Sequence, residues 1–276
     1  MIMKIVDYLQ YPFVQYAFIV SILIALCASL LGVILVLKRL SFIGDGLSHV
    51  GFGALALAAA FNVTPLYVAI PVVVLTAFLL LRVNESGKLK GDAAVAMISA
   101  SALAIGVLIV SVSETNVDLN SYLFGSIYAI SNQDMYLSIC LSVAVILLYL
   151  VFYNKMFAVV FDENFARATG AKATAYNIIM ACLTAVTIVV GMRLVGSLLI
   201  SSLIIFPALT SMRICKTFKK VIISSSVVGV VCIIVGIISS FLLDVPASAC
   251  IVITNLAAYI IFAIIGFIKE KYSKES

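Results

Sequence analysis

Asp45 and His49 stand four residues apart in the stretch Lys38–Ala60, KRLSFIGDGLSHVGFGALALAAA, and His49 is the chain's one histidine. On a helix, residues four apart share a face, with Cβ atoms about 5–6 Å apart. A carboxylate oxygen and an imidazole nitrogen so placed can hold one divalent ion at about 2.0–2.2 Å from each. The competing reading is structural: a carboxylate at a helix N-terminus, where the dipole favours an anion, hydrogen-bonded to a buried imidazole. Two donors make half a site. Two copies paired about a two-fold axis would supply two Asp and two His, a set of nitrogens and oxygens that suits zinc, or manganese with added water.

Small residues surround the pair. Gly44, Ser48, Gly51 and Gly53 allow another backbone to come close, either from a second copy or from a helix of the same chain. Further along, MRLVGSLLISSLIIFPALTSMR carries Ser197, Ser201 and Ser202 among apolar residues, and Pro207, which removes a backbone hydrogen bond. Ser48, Ser201 and Pro207 are candidates for lining a pathway or for packing; serines on such helices commonly bond their own backbone. Arg193 reads as an anchor or a gate. Met97, Met180 and Met192 are soft donors or core fillers.

The elements that must position these residues follow from composition. Of 276 residues, 64% are hydrophobic and 11% charged, against about 25% charged in a soluble domain. Too little charge is present to coat a globular surface, so the chain is expected to be an all-α polytopic integral membrane protein. Nine apolar stretches approach the ~20 residues a span needs: Phe13–Leu37, Ser41–Phe61, Pro65–Val83, Asp92–Ser113, Met135–Tyr153, Tyr176–Val190, Leu194–Met212, Val221–Leu243 and Ala249–Ile268. The sixth and seventh are separated only at Gly191–Arg193, so eight spans with a half-inserted segment fit as well. The second, read from Ser41 at about 1.5 Å per residue, places Asp45 roughly 6 Å and His49 roughly 12 Å into the hydrocarbon. An ionisable group at that depth is a functional candidate.

Orientation follows from the basic residues. With the N-terminus outside, the inner loops hold Lys38 and Arg39; Arg82, Lys88 and Lys90; Lys155, Arg167 and Lys172; Arg213, Lys216, Lys219 and Lys220; Lys269, Lys271 and Lys274. Lys4 and Arg193 fall outside. This one-sidedness is what the positive-inside rule predicts, and it puts the C-terminus in the cytoplasm. No polar block is long enough for a separate domain, so residues 1–276 are read as one membrane domain.

Two connections exceed a turn. The outer one, 114–134, contains Asn120–Ser126 and reads as a possible dip back into the membrane. The inner one, about 154–175, contains FDENFARATGAKA. There Asp162 is an N-cap, Glu163 lies in the first turn, Arg167 is basic near the end and Gly170 is a stop. Phe161 and Phe165, four apart, would share a face. Such a helix is too short to stand alone and needs something to dock on.

Several functions are excluded. There is no G-x-x-x-x-G-K-[ST] loop for ATP and no HExxH. No G-x-S-x-G or serine–histidine dyad is present, so the chain is not expected to be an enzyme. The six cysteines show no CxxC or zinc-finger spacing and are expected to be free thiols. The net charge of +5 lies between apolar runs and sets topology, so no nucleic acid is expected.

In order, the motifs LSFIGDGLSHVGFGALALA, KGDAAVAMISASALAIGV, DLNSYLFGSIYAIS, FDENFARATG and RLVGSLLISSLIIFPALT resemble those of permease subunits of ATP-binding-cassette importers for zinc and manganese. The resemblance covers roughly residues 10–268. It implies a single transmembrane permease domain of eight or nine helices in the plasma membrane, with Asp45 and His49 as metal contacts. FDENFARATG, with Phe161, Asp162, Glu163, Phe165, Arg167 and Gly170, would be the cytoplasmic coupling helix. It implies a permease homodimer or pair, two cytoplasmic ABC ATPase subunits holding ATP, an extracellular or periplasmic metal-binding protein, and no covalent cofactor. The wording GDGLSHVGFGALAL and MRLVGSLLISSLIIFPALTS looks closer to zinc than to manganese permeases. One departure is Pro246-Ala-Ser-Ala249, where Pro-Ser-Gly-Ala is common in the family. The class-level alternatives are an ion-coupled transporter or channel working alone, and a membrane scaffold.

Overall fold

A computed structural model describes residues 12–86, 91–113, 125 and 132–275. Among them no strand occurs, and the chain runs through ten helices. These are α1 Pro12–Leu37, α2 Ile43–Ala60, α3 Pro65–Ser86, α4 Gly91–Val112, α5 Asn132–Phe161, α6 Glu163–Ala168, α7 Ala173–Val195, α8 Ser197–Met212, α9 Phe218–Leu243 and α10 Ala247–Glu275. Chains in lipid must satisfy every backbone polar group internally, and a helix does this within one segment. Eight of the ten are long and apolar enough to cross a membrane; α8 is apolar but shorter. The protein is therefore an all-α polytopic membrane protein. The stretch Asn120–Ser126 lies outside the described residues apart from Gly125.

Two expectations are corrected. The break between the sixth and seventh stretches falls at Gly196, not at Gly191–Arg193. Gly196 has φ 91 and ψ 155, a backbone conformation open only to glycine. There the chain reverses: Gly191 packs directly against Ile200. Nine residues of continuous helix would hold these two about 13.5 Å apart. Secondly, α5 runs two turns past Tyr153, to Phe161. Asp162 then breaks the helix with φ −150 and ψ 97. Phe161 thus ends α5 while Phe165 belongs to α6, and the i, i+4 spacing does not describe one continuous helix face. Of the two readings left open for the glycines around the Asp45–His49 pair, the structure shows packing within the subunit.

That packing fixes α2. A Cβ at Gly46 would collide with Val95, and one at Gly53 would stand 2.9 Å from the Ala102 carbonyl oxygen. These contacts recur every seven residues on both helices, so α2 and α4 run in the same direction. On another side, Gly44 faces Ser201 and Ile204 of α8, and Gly51 faces Met192 of α7. Gly32 brings α1 against the Ile204 backbone. Without a hydrophobic driving force between helices in lipid, such close approach supplies the van der Waals contact that holds them together. The main apolar core joins Ile24, Leu47, Phe52, Ile188, Leu199 and Leu203 from α1, α2, α7 and α8. The cysteines of the described residues are free thiols.

Candidate functional site

Asp45 falls in the first turn of α2, where the unpaired N–H groups favour a carboxylate. One turn on, His49 Nε2 lies 3.7 Å from Asp45 Oδ2. The gap is too long for a hydrogen bond. Two donors each about 2.1 Å from one ion would stand roughly 3.0–3.4 Å apart at right or tetrahedral angles. The pair is thus spaced for a shared cation after a shift of a few tenths of an ångström. His49 Nδ1 is buried and has no hydrogen-bond partner among the described residues.

The pair occupies the one side of α2 left open at its base. Its side chains are 52% exposed at Asp45 and 20% at His49, and Phe42 on the same face is exposed. The flanking sides carry the seams to α4 and to α7 and α8. Asp45 and His49 are therefore together and accessible, while the helix that carries them is clamped. Among the described residues no cluster of three or more His, Cys, Asp or Glu occurs, so one chain offers half a coordination sphere.

The serines divide. Ser202 donates to the Leu199 carbonyl at 2.8 Å and Ser48 to the Asp45 carbonyl at 2.7 Å, both local backbone bonds. Ser201 Oγ is buried without a partner among the described residues and lies 3.9 Å from where a Cβ on Gly44 would stand. It is thus a polar atom with spare capacity beside the base of the Asp45 turn. Ser197 Oγ is likewise buried and unpartnered. Pro207 is buried inside α8, and by lacking an N–H it leaves the Leu203 carbonyl without its helical donor. Met180 and Met192 are buried in packing.

The second candidate region is α6. Asp162 is its N-cap: Oδ1 accepts from Phe165 N–H at 2.9 Å. Its C-terminal end closes with Ala171 N–H to Ala166 O at 2.9 Å and Gly170 N–H to Arg167 O at 3.1 Å, the Schellman pattern. Gly170 has φ 85 as that motif requires. Phe161 and Phe165 are exposed, at 69% and 66%. Glu163 is held from three sides: by Arg167 Nη2 at 2.7 Å, by Asn177 Nδ2 at 3.2 Å and by Lys38 Nζ at 3.4 Å. Burial pushes its carboxyl up, but hydrogen bonds from Asn177 and Arg167 and the Lys38 charge outweigh it. Its pKa ends below the ordinary 4.5.

Lys38 and Asn177 were missed as partners of Glu163 by sequence reasoning. Lys38 had been assigned only to topology. Asn177 offered one signal, a polar residue near the start of an apolar run.

A model of the ABC 3 transport family matches residues 10–266. The "Manganese import system permease protein ScaB" of Streptococcus gordonii is 30% identical over 267 residues, covering 96% of this chain and 95% of the relative. The "Manganese transport system membrane protein MntC" of Listeria monocytogenes is 27% identical, covering 93% and 90%. A solved structure, "PsaBC from Streptococcus pneumoniae in complex with Fab", superposes with a TM-score of 0.85 at 29% identity, covering 95% of each chain. The two curated relatives are named for manganese, against the zinc preference read from the motif wording.

Proposed function

Because the chain belongs to the ABC 3 transport family, a family of metal ABC importer permeases, we propose that it is the membrane permease subunit of an importer whose cargo is manganese. Manganese replaces zinc as the leading cargo, on the names of the relatives. The donors themselves, one carboxylate and one imidazole, suit either metal.

The observation that carries the proposal is the Asp45–His49 pair, 3.7 Å apart on the open face of a helix otherwise locked by glycine seams. In this reading the imidazole and carboxylate take the ion from its hydration shell, and Ser201 or water contributes a further oxygen. A second copy of the chain, facing the first across these open sides, completes the sphere. Few strong donors per subunit suit a carrier, because the ion must leave as well as enter.

The chain acts as one permease domain in the plasma membrane, with the N-terminus outside and the C-terminus in the cytoplasm. The basic residues at the Lys38, Arg82, Lys155 and Arg213 ends support this orientation. Energy comes from cytoplasmic ATPase subunits, which hold the ATP and dock on α6 through exposed Phe165 and Phe161. An extracellular metal-binding protein delivers the ion. The test is uptake in liposomes holding this chain with its ATPase. Import of manganese that needs ATP supports the proposal. Uptake without any ATPase would replace it with a stand-alone carrier, and preference for zinc would return the cargo to the earlier choice.

A further inference from the structure

α6 has one buried residue, Ala166. Apolar burial therefore ties it only weakly to the bundle. Its attachment to the rest of the chain is polar and runs through Glu163 to Lys38, the residue following α1, and to Asn177, near the start of α7. Lys38 also donates to Asn177 Oδ1, so the three side chains form a closed triangle. Lys38 is only 15% exposed in its side chain. Ion pairs so shielded are screened far less than surface pairs.

The chain leaving Lys38 has little slack. Arg39 takes the left-handed conformation, φ 58, of the residue that closes a helix end. The turn is closed by Leu40 N–H to Leu35 O at 2.8 Å and Arg39 N–H to Val36 O at 3.1 Å. Ile43 N–H then bonds Leu40 O at 3.0 Å, and α2 begins, with Asp45 in its first turn. On the side of α2 away from Asp45 lies a small cavity of about 20 Å³, lined by Lys38, Ile43, Leu47, Leu81, Asn177 and Met180.

We infer that Lys38 is a positioning residue that links α6 to the root of α2, so that displacement of Glu163 at the docking helix is passed to the turn entering α2 and to Asp45 in its first turn. Lys38 acts by holding Glu163 and Asn177 on one side and the Arg39 turn on the other. The inference rests on the permease reading above, and its test separates the two.

The experiment measures manganese moved per ATP hydrolysed by the permease–ATPase complex in liposomes, together with assembly of that complex. In Lys38→Met the ratio is expected to fall about ten-fold, while assembly and ATP hydrolysis stay within about two-fold of the unmodified complex. Lys38→Arg, which keeps the charge and the donors, is expected to restore most of the ratio. Asn177→Leu removes the other corner of the triangle and is expected to lower the ratio too, which provides the answer if Lys38→Met does not fold. An unchanged ratio in the folded Met or Leu variant, or an Arg variant as uncoupled as Met, overturns the inference. An unmodified complex that hydrolyses ATP without moving metal overturns the permease reading instead.

Discussion

Lys38 and Glu163 are 125 positions apart in the chain and 3.4 Å apart in space. The contact joins the end of the first long helix to the first residue of the short helix α6; with the stronger hydrogen bonds from Asn177 and Arg167 it outweighs burial and holds the Glu163 carboxyl below the ordinary 4.5.

That shift has a defined sign. A carboxyl whose pKa is lowered on folding contributes stability above its unfolded pKa and loses it as pH falls through the folded value. Glu163→Gln should therefore melt lower than the unmodified protein at pH 7, and the difference should close below the ordinary 4.5. Thermal unfolding in detergent at pH 7 and pH 3 checks this. Equal differences at both values would mean the ionised carboxylate contributes nothing. The group is about one-third exposed, so the effect is modest.

Gly53 tests the packing of α2. Its missing Cβ would stand 2.9 Å from the Ala102 carbonyl oxygen, a backbone atom that cannot swing away. Gly53→Val should destabilise by about 1–3 kcal/mol, as overpacking does. The loss should appear as a lower melting temperature in detergent. An unchanged melting temperature would show that the α2–α4 seam is looser than these contacts require.

Phe165 tests the docking surface. The ring is 66% exposed on a helix fixed by the Asp162 cap and the Gly170 stop. Phe165→Asp should leave the chain inserted and its melting temperature nearly unchanged, because little burial is lost. Copurification of the ATPase should fall by at least about ten-fold, the scale of a buried aromatic anchor at an interface. Undiminished copurification would remove α6 from the docking role.

The sequence carried the architecture because membrane helices announce themselves by composition alone. Apolar runs such as Val221–Leu243 needed no knowledge of their neighbours. The cap at Asp162 and the stop at Gly170 were legible for a related reason: both are local backbone chemistry. So was the Asp45–His49 pair, since residues four apart on a helix must share a face. What was not legible depends on distant chain. The partners of Gly46 and Gly53 are Val95 and Ala102, and no local pattern says whether a small-residue stripe serves its own subunit or a second copy. The reversal at Gly196 lies a few residues beyond Gly191–Arg193, and the φ of a glycine is not written in its neighbours. Phe161 and Phe165 fall on two helices, because Asp162 ends the helix before it as well as capping the one after. Lys38 was counted as a topological charge, and its bond to Glu163 depended on how the chain folded.

The central claim is that Asp45 and His49 form the metal contact of a permease. The most direct measurement is manganese uptake by liposomes holding the chain with its ATPase, comparing the unmodified chain with Asp45→Ala and His49→Ala at equal insertion and equal assembly. Removing either donor should cut uptake at least about ten-fold, the factor that loss of about 1.4 kcal/mol of ligand interaction gives, and removing both should cost little more than removing one. Uptake by both single variants at the unmodified rate would contradict the account.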